Sequence, residues 1–115
     1  CPLNAESEGL FGTELFAKMR RGAFFVNTSR GPVVNEQALA DALKSGRLSG
    51  AAVDVLMQEP MAKDCPLLGA PNCTITPHVA WAPKTTRQRL FSVVLQNFDA
   101  YLKGTPKNVV NNPKI

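Results

Sequence analysis

Three short runs of apolar residues mark the chain and predict the strands of a sheet, at residues 23–26, 51–55 and 74–76. The runs do not alternate apolar with polar positions, which is typical of strands buried on both faces of a parallel sheet. A parallel crossover needs a dozen or more residues, and the two intervals between the runs supply that length. We therefore expect three parallel strands.

Two segments with helical periodicity flank the first strand. Thr13 is placed to cap a short helix that ends before Gly22. Asn35 is expected to cap a second helix that ends at Gly46. The apolar face of this second helix consists of Ala38, Leu39, Ala42 and Leu43.

A longer helix is predicted after the third strand. Thr85 and Gln88 have the spacing of a capping box, and the helix runs to about Lys103 before Gly104 ends it. Its apolar stripe contains Leu90, Phe91, Val94, Leu95, Phe98, Tyr101 and Leu102.

The order of these elements predicts the fold class. Helix, strand, helix, strand, loop, strand and helix follow one another as in the C-terminal half of a Rossmann-type doubly wound parallel sheet, an α/β fold. The interval 56–73 contains three prolines and predicts a long ordered loop rather than a helix. Ordered loops of that length in compact domains tend to serve a site.

Composition excludes several classes of protein. The chain has 44% apolar and 19% charged residues, as in a globular domain, and its 115 residues allow a single core. No apolar run approaches the roughly 20 residues that span a bilayer. The three cysteines lack CxxC spacing and the single histidine does not complete a zinc site with them, so we expect no metal and a reducing, cytoplasmic location.

The net charge of +4 arises after Pro83, where six of the 13 basic residues but only one of the nine acids are found. Nucleic-acid binding would require basic residues interleaved with exposed aromatics, or a recognisable reading helix. Because the aromatics of the predicted third helix share its apolar stripe, its basic residues are expected to form a solvated face. We expect neither a nucleic-acid nor a membrane partner.

Polar residues follow each predicted strand, where the ligand crevice of an open parallel sheet lies. Arg30 follows the first strand, Glu59 the second and His78 the third. Singly, each has an ordinary interpretation as a surface or loop residue. Together they favour a site in which an arginine fork holds a carboxylate and a histidine transfers a proton, while the glutamate orients the ring and favours its protonated form.

The segments NTSRGPVVNE (27–36), AAVDV followed by EP (51–55 and 59–60) and NCTITPHVA (72–80) resemble the signature blocks of the D-isomer-specific 2-hydroxyacid dehydrogenases. Their order and spacing match that family, and the resemblance covers nearly the whole chain, including CPL at residues 1–3 and NVVN at residues 108–111. Together these motifs are far more specific than a lone glycine fingerprint.

The resemblance implies roles for individual residues. Arg30 matches the arginine that binds the substrate carboxylate, His78 the acid/base that protonates the carbonyl oxygen as hydride arrives, and Glu59 its partner carboxylate. Asp54 matches the residue that contacts the nicotinamide carboxamide. The cofactor side of the cleft is then formed by Cys1, Pro2, Ser7, Thr28, Ser29, Arg30, Asp54 and His78. The implied cofactor is NAD or NADP, without a metal.

The resemblance also narrows the substrate. Formate dehydrogenases of the same superfamily have an amide where Glu59 stands, so Glu59 favours a small 2-oxoacid and its D-2-hydroxyacid. Trp81 is similar to members that reduce hydroxypyruvate to glycerate, which favours hydroxypyruvate or glyoxylate. Trp81 has an equally good interpretation as a packing or subunit-contact residue.

No GxGxxG motif occurs in the chain, so the turn that binds the cofactor pyrophosphate is not found. The resemblance therefore implies a partial NAD(P)-binding domain at residues 1–104, a tail at 105–115 that returns toward a substrate domain, and a truncated piece of a homodimeric enzyme. Two alternatives stay open: a non-catalytic interaction module like the corepressors that resemble these dehydrogenases, and an inactive fragment.

Overall fold

The computed structural model describes residues 1–111 and has the predicted parallel sheet. Its strands β1, β2 and β3 follow one another across the sheet, each parallel to its neighbour, and their bounds are Ala23–Asn27, Leu48–Val53 and Cys73–Ile75. The helices α1, α2 and α3 are Thr13–Lys18, Glu36–Lys44 and Lys84–Leu102. The α/β fold class and all three strands are confirmed. The second strand begins three residues earlier than predicted.

The loop after β2 has the ordered, largely non-helical form that its prolines predict. Its only helical segment is one short 3-10 helix, Pro66–Gly69. A second 3-10 helix, Gly31–Val33, links β1 to α2.

The chain divides into two compact units, Cys1–Ala80 and a second unit that begins at Trp81. The core of the first unit lies on one face of its sheet. Phe16 of α1 and Leu39 of α2 are fully buried in one cluster with Phe25 of β1, and the rings of Phe16 and Phe25 meet edge to face at 5.2 Å. The expected burial of both faces is wrong, because Phe24 and Val26 are 74% and 65% exposed. The reason is that α1 and α2 both pack on the Phe25 side.

The two predicted caps of the first unit have different outcomes. Asn35 caps α2, where its side-chain Oδ1 accepts a hydrogen bond from the Ala38 N–H at 2.9 Å, and the four predicted apolar residues of that helix are buried. The Thr13 cap is wrong. Gly12 occupies the cap position of α1 in an extended conformation, and Thr13 is already the first helical residue.

The second unit contains α3. The predicted capping box is wrong, because Pro83 is the cap residue and Thr85 and Gln88 both lie inside the helix. Gly104 ends the helix in the left-handed conformation, as predicted, at φ +69°. The apolar stripe exists but is largely exposed, as at Phe98 (60%).

Residues 105–111 of the predicted tail contain neither helix nor strand, and its last four residues lie outside the described residues. Across residues 1–111, no helix has the length and apolar character needed to cross a membrane.

Candidate active site

A buried asparagine organises the turn that carries Arg30. Asn27, the last residue of β1, accepts hydrogen bonds from the backbone N–H of Ser29 (3.0 Å) and from its hydroxyl (2.9 Å), and it donates to the Arg30 carbonyl at 3.1 Å. The Arg30 side chain is exposed, and its Nη1 donates to the Ser29 carbonyl at 2.7 Å. No role is predicted for Asn27 from the sequence alone. Its signal was a polar residue at the buried end of a strand.

Asp54, directly after β2, anchors the segment that follows β3. One of its oxygens, Oδ1, accepts from the Thr76 hydroxyl (2.5 Å) and the Val79 N–H (2.9 Å), while Oδ2 accepts from the Ala80 N–H (2.8 Å). The Thr76 hydroxyl is the chief reason that the pKa of Asp54 falls below its ordinary value, against the opposing effect of burial. Asp54 is therefore ionised at neutral pH.

Glu59 and His78 are in direct contact. The Nδ1 atom of His78 lies 2.8 Å from Oε2 of Glu59, and both side chains are about 40% exposed, at 42% and 39%. The other glutamate oxygen accepts from the Leu56 N–H at 3.0 Å. That N–H first, and the contact with His78 second, lower the pKa of Glu59 below its ordinary value. The pair is thus an ionised carboxylate held against a ring nitrogen.

The peptide between Leu56 and Met57 is held by the loops around it. The Met57 N–H of this peptide donates to a carboxylate oxygen of Glu36 in the first turn of α2, at 2.8 Å. Gly31 packs directly against the Leu56 carbonyl, where a Cβ atom would have no room. The turn that carries Arg30 and the loop that carries Glu59 therefore meet at this peptide. No role is predicted for Glu36 from the sequence, although it closes the block 27–36 and begins the second helix.

A cleft of about 570 Å³ opens beside the Glu59–His78 pair. Polar atoms of Asp54, Glu59 and His78 meet a mostly apolar wall formed by Leu56, Pro60, Met61, Leu68, Ile75 and Pro77. The structure brings Glu59, His78 and Asp54 to one place. It does not bring Arg30 to the wall of this cleft, because the guanidinium turns back to its own loop.

The remaining candidates lie elsewhere in the first unit. Cys1, Pro2 and Thr28 are exposed. Ser7 is buried, and its hydroxyl donates to the Pro2 carbonyl at 2.7 Å and accepts from the Asn4 N–H at 2.9 Å, so it organises the start of the chain. In the described part of the chain, no group of three or more His, Cys, Asp or Glu side chains is placed to hold a metal ion.

Comparisons with known proteins point to one family. The family profile described as D-isomer specific 2-hydroxyacid dehydrogenase, NAD binding domain, matches residues 1–80. A hydroxypyruvate reductase of Blautia hydrogenotrophica is 51% identical over 111 residues, which are 96% of this chain and 34% of that protein. A glycerate dehydrogenase of Methylorubrum extorquens is 44% identical over 95% of this chain and 35% of that protein.

A solved structure is similar to this chain in its fold as well as in its sequence. A D-isomer specific 2-hydroxyacid dehydrogenase from Xanthobacter autotrophicus Py2, in complex with NADPH and MES, superposes with a TM-score of 0.77 at 38% identity and covers 96% of this chain and 46% of that chain. The chain spans about a third of the length of the curated relatives it matches.

Proposed function

Because this chain belongs to the D-isomer specific 2-hydroxyacid dehydrogenase family, we propose that the protein transfers hydride between NAD(P)H and a small 2-oxoacid, yielding the D-2-hydroxyacid. The observation that carries this proposal is the 2.8 Å contact between Glu59 and His78 at the carboxyl end of the sheet. A histidine held in this way is a proton donor and acceptor suited to a carbonyl oxygen.

The proton chemistry follows from the charge of Glu59. Its lowered pKa keeps the carboxylate ionised at neutral pH, so it only accepts, and Nδ1 of His78 carries the hydrogen of their bond. The other ring nitrogen, Nε2, is then the atom that exchanges a proton with substrate. In reduction, Nε2 gives its proton to the developing alkoxide, and Glu59 stabilises the charged ring beforehand.

Residues of this chain fit the nicotinamide end of the cofactor. The Asp54 carboxylate accepts three hydrogen bonds, and a carboxylate has room for about four, so an amide N–H can still be accepted. When bound, the nicotinamide supplies or receives the hydride. We propose that Thr28, Ser29, Arg30 and His78 line that end, with Cys1, Pro2 and Ser7 at the adjoining wall. NAD and NADP both stay open, since solved relatives carry NADPH or NAD.

The proposed domain division rests on the same residues, those proposed to line the nicotinamide end of the cofactor. Residues 1–104 would be the part of the NAD(P)-binding domain that presents the nicotinamide site, and residues 105–115 would lead toward a substrate domain. The three free cysteines agree with a reducing compartment, which we propose is the cytoplasm.

Arg30 is proposed to hold the substrate carboxylate. Its guanidinium uses Nη1 on the Ser29 carbonyl, which leaves several N–H donors for a carboxylate. Arg30→Lys in the full-length protein should raise KM for the oxoacid by about 10- to 100-fold, because a bidentate charged pair becomes a single one. Steady-state kinetics check this, and KM for the nicotinamide cofactor serves as the internal control. An unchanged oxoacid KM would remove Arg30 from substrate binding.

The substrate is proposed to be hydroxypyruvate or glyoxylate, in line with the names of the relatives. In the full-length protein we expect nicotinamide oxidation with hydroxypyruvate or glyoxylate to exceed that with pyruvate, and we expect no reduction of NAD or NADP by formate. An absorbance assay that follows nicotinamide oxidation at one fixed cofactor concentration measures these rates. Formate turnover, or no oxoacid turnover with either cofactor, would contradict the proposal.

The 115-residue chain is measured beside the full-length protein in the same assay. It should show no turnover, because its sequence contains no GxGxxG motif for the turn that binds the cofactor pyrophosphate. Turnover by the chain alone would contradict the proposed division of the cofactor site.

A homodimer is part of the proposal. Large apolar side chains of α3 are more than half exposed, including Phe91 at 64% and Phe98 at 60%, and Trp81 is 57% exposed. Surfaces of this kind typically mark interfaces.

A further inference from the structure

The segment around His78 is tied to one carboxylate on both sides of the histidine. Two residues before it, the Thr76 hydroxyl donates to Asp54 Oδ1, and just after it, the N–H groups of Val79 and Ala80 donate to the same side chain. The backbone N–H of His78 donates to the Thr76 carbonyl at 3.0 Å. Thr76 therefore binds Asp54 with its hydroxyl and His78 with its carbonyl.

His78 needs such support because its backbone is left-handed, at φ +56°. L-residues with a Cβ rarely adopt this conformation, and it persists only where the surrounding bonds impose it. In this conformation the ring reaches Glu59, which belongs to a different loop. Hydrogen bonds to Asp54 hold the chain both before and after this left-handed residue.

We propose that Thr76 is a positioning residue, which together with Asp54 holds the turn so that Nδ1 of His78 stays against Glu59. Only the kinetic consequence rests on the proposed function. The geometric consequence, a fixed ring with hydrogen on Nδ1, holds for the chain whatever it catalyses. The lowered pKa of Asp54 agrees with this, since the carboxylate stays an acceptor throughout the neutral range.

The test uses the fact that the chain has one histidine, so its ring nitrogens give one set of ¹⁵N signals. Thr76→Val removes the hydroxyl and keeps the shape, and because Thr76 is exposed the substitution opens no cavity in the core. With the spectra recorded at a pH at which the ring is neutral, we expect the His78 signals to change from those of the Nδ1–H form to an average over both tautomers. Thr76→Ser should restore the original signals.

Thr74→Val is the matched control, because Thr74 is also an exposed threonine and lies in β3, two residues before Thr76. It should leave the His78 signals unchanged. Thr76→Ala, which shares the loss of the hydroxyl, repeats the test if the valine variant does not fold. Folded Thr76→Val or Thr76→Ala protein with the original His78 signals would overturn the proposal.

Kinetic measurements distinguish the positioning role of Thr76 from the proposed catalytic role of His78. In the full-length protein, Thr76→Val should lower kcat by about tenfold and change its pH profile, while KM for the oxoacid stays within a few-fold and Thr76→Ser recovers the rate. Altered ring signals with unchanged kcat would contradict catalysis by His78 and leave the positioning role supported. Unaltered signals with lowered kcat would contradict the positioning role.

Discussion

His78→Ala in the full-length protein is expected to lower kcat for the oxoacid by roughly 10²- to 10⁴-fold, the usual contribution of one general acid/base. The physical reason is that hydride arrival leaves negative charge on the carbonyl oxygen, and His78 is the only nitrogen acid or base among the described side chains that line the cleft, with ionised Glu59 held against its ring. Dissociation constants for NADH and NADPH, measured by fluorescence, should stay within a few-fold.

Glu59→Gln is the companion variant, because it keeps the size of the side chain and removes its charge. A neutral amide can donate or accept, so it no longer dictates which ring nitrogen carries hydrogen. The fall in kcat should be smaller than for His78→Ala, and the pH dependence of kcat should change. Near-normal turnover of His78→Ala would refute the assigned acid/base.

Gly31→Ala should destabilise the folded chain by about 3 kcal/mol or more, the upper part of the range for inserting an atom into a packed interior. The new Cβ would lie 2.5 Å from the Met57 nitrogen and still closer to the Leu56 carbonyl, all of it backbone that cannot rotate away. Separating the two loops would break the bond from Met57 to Glu36, which joins the loop after β2 to the start of α2. Urea denaturation measures the free energy of unfolding.

Gly69→Ala is the control for this substitution. Gly69 ends the 3-10 helix Pro66–Gly69, and a Cβ there meets no atom within 4 Å. Its free energy of unfolding should stay within about 0.5 kcal/mol of the original chain, as for most surface substitutions. Equal stability of the Gly31 and Gly69 variants would contradict the tight contact between the two loops.

Local signals were sufficient for the strands and for α2. The apolar runs locate all three strands, and Asn35 with Gly46 brackets α2, because a cap and a left-handed terminator act within one turn of chain. The same reasoning failed for Thr13 and for the Thr85–Gln88 pair. The cap residues are Gly12 and Pro83, so the two helices begin one and two residues earlier than the predicted caps allow.

The sequence by itself determined the α/β class, the order of the strands along the chain, and the two residues, Glu59 and His78, that meet beside the cleft. These depend on residue type and on spacing along the chain. Only the tertiary structure decided which sheet face is covered, where the Arg30 guanidinium points, and how Asp54, Thr76 and Glu36 hold the site. The covered face depends on where α1 and α2 pack, and the support of the site depends on hydrogen bonds between residues 21 and 22 positions apart, so no local pattern encodes either.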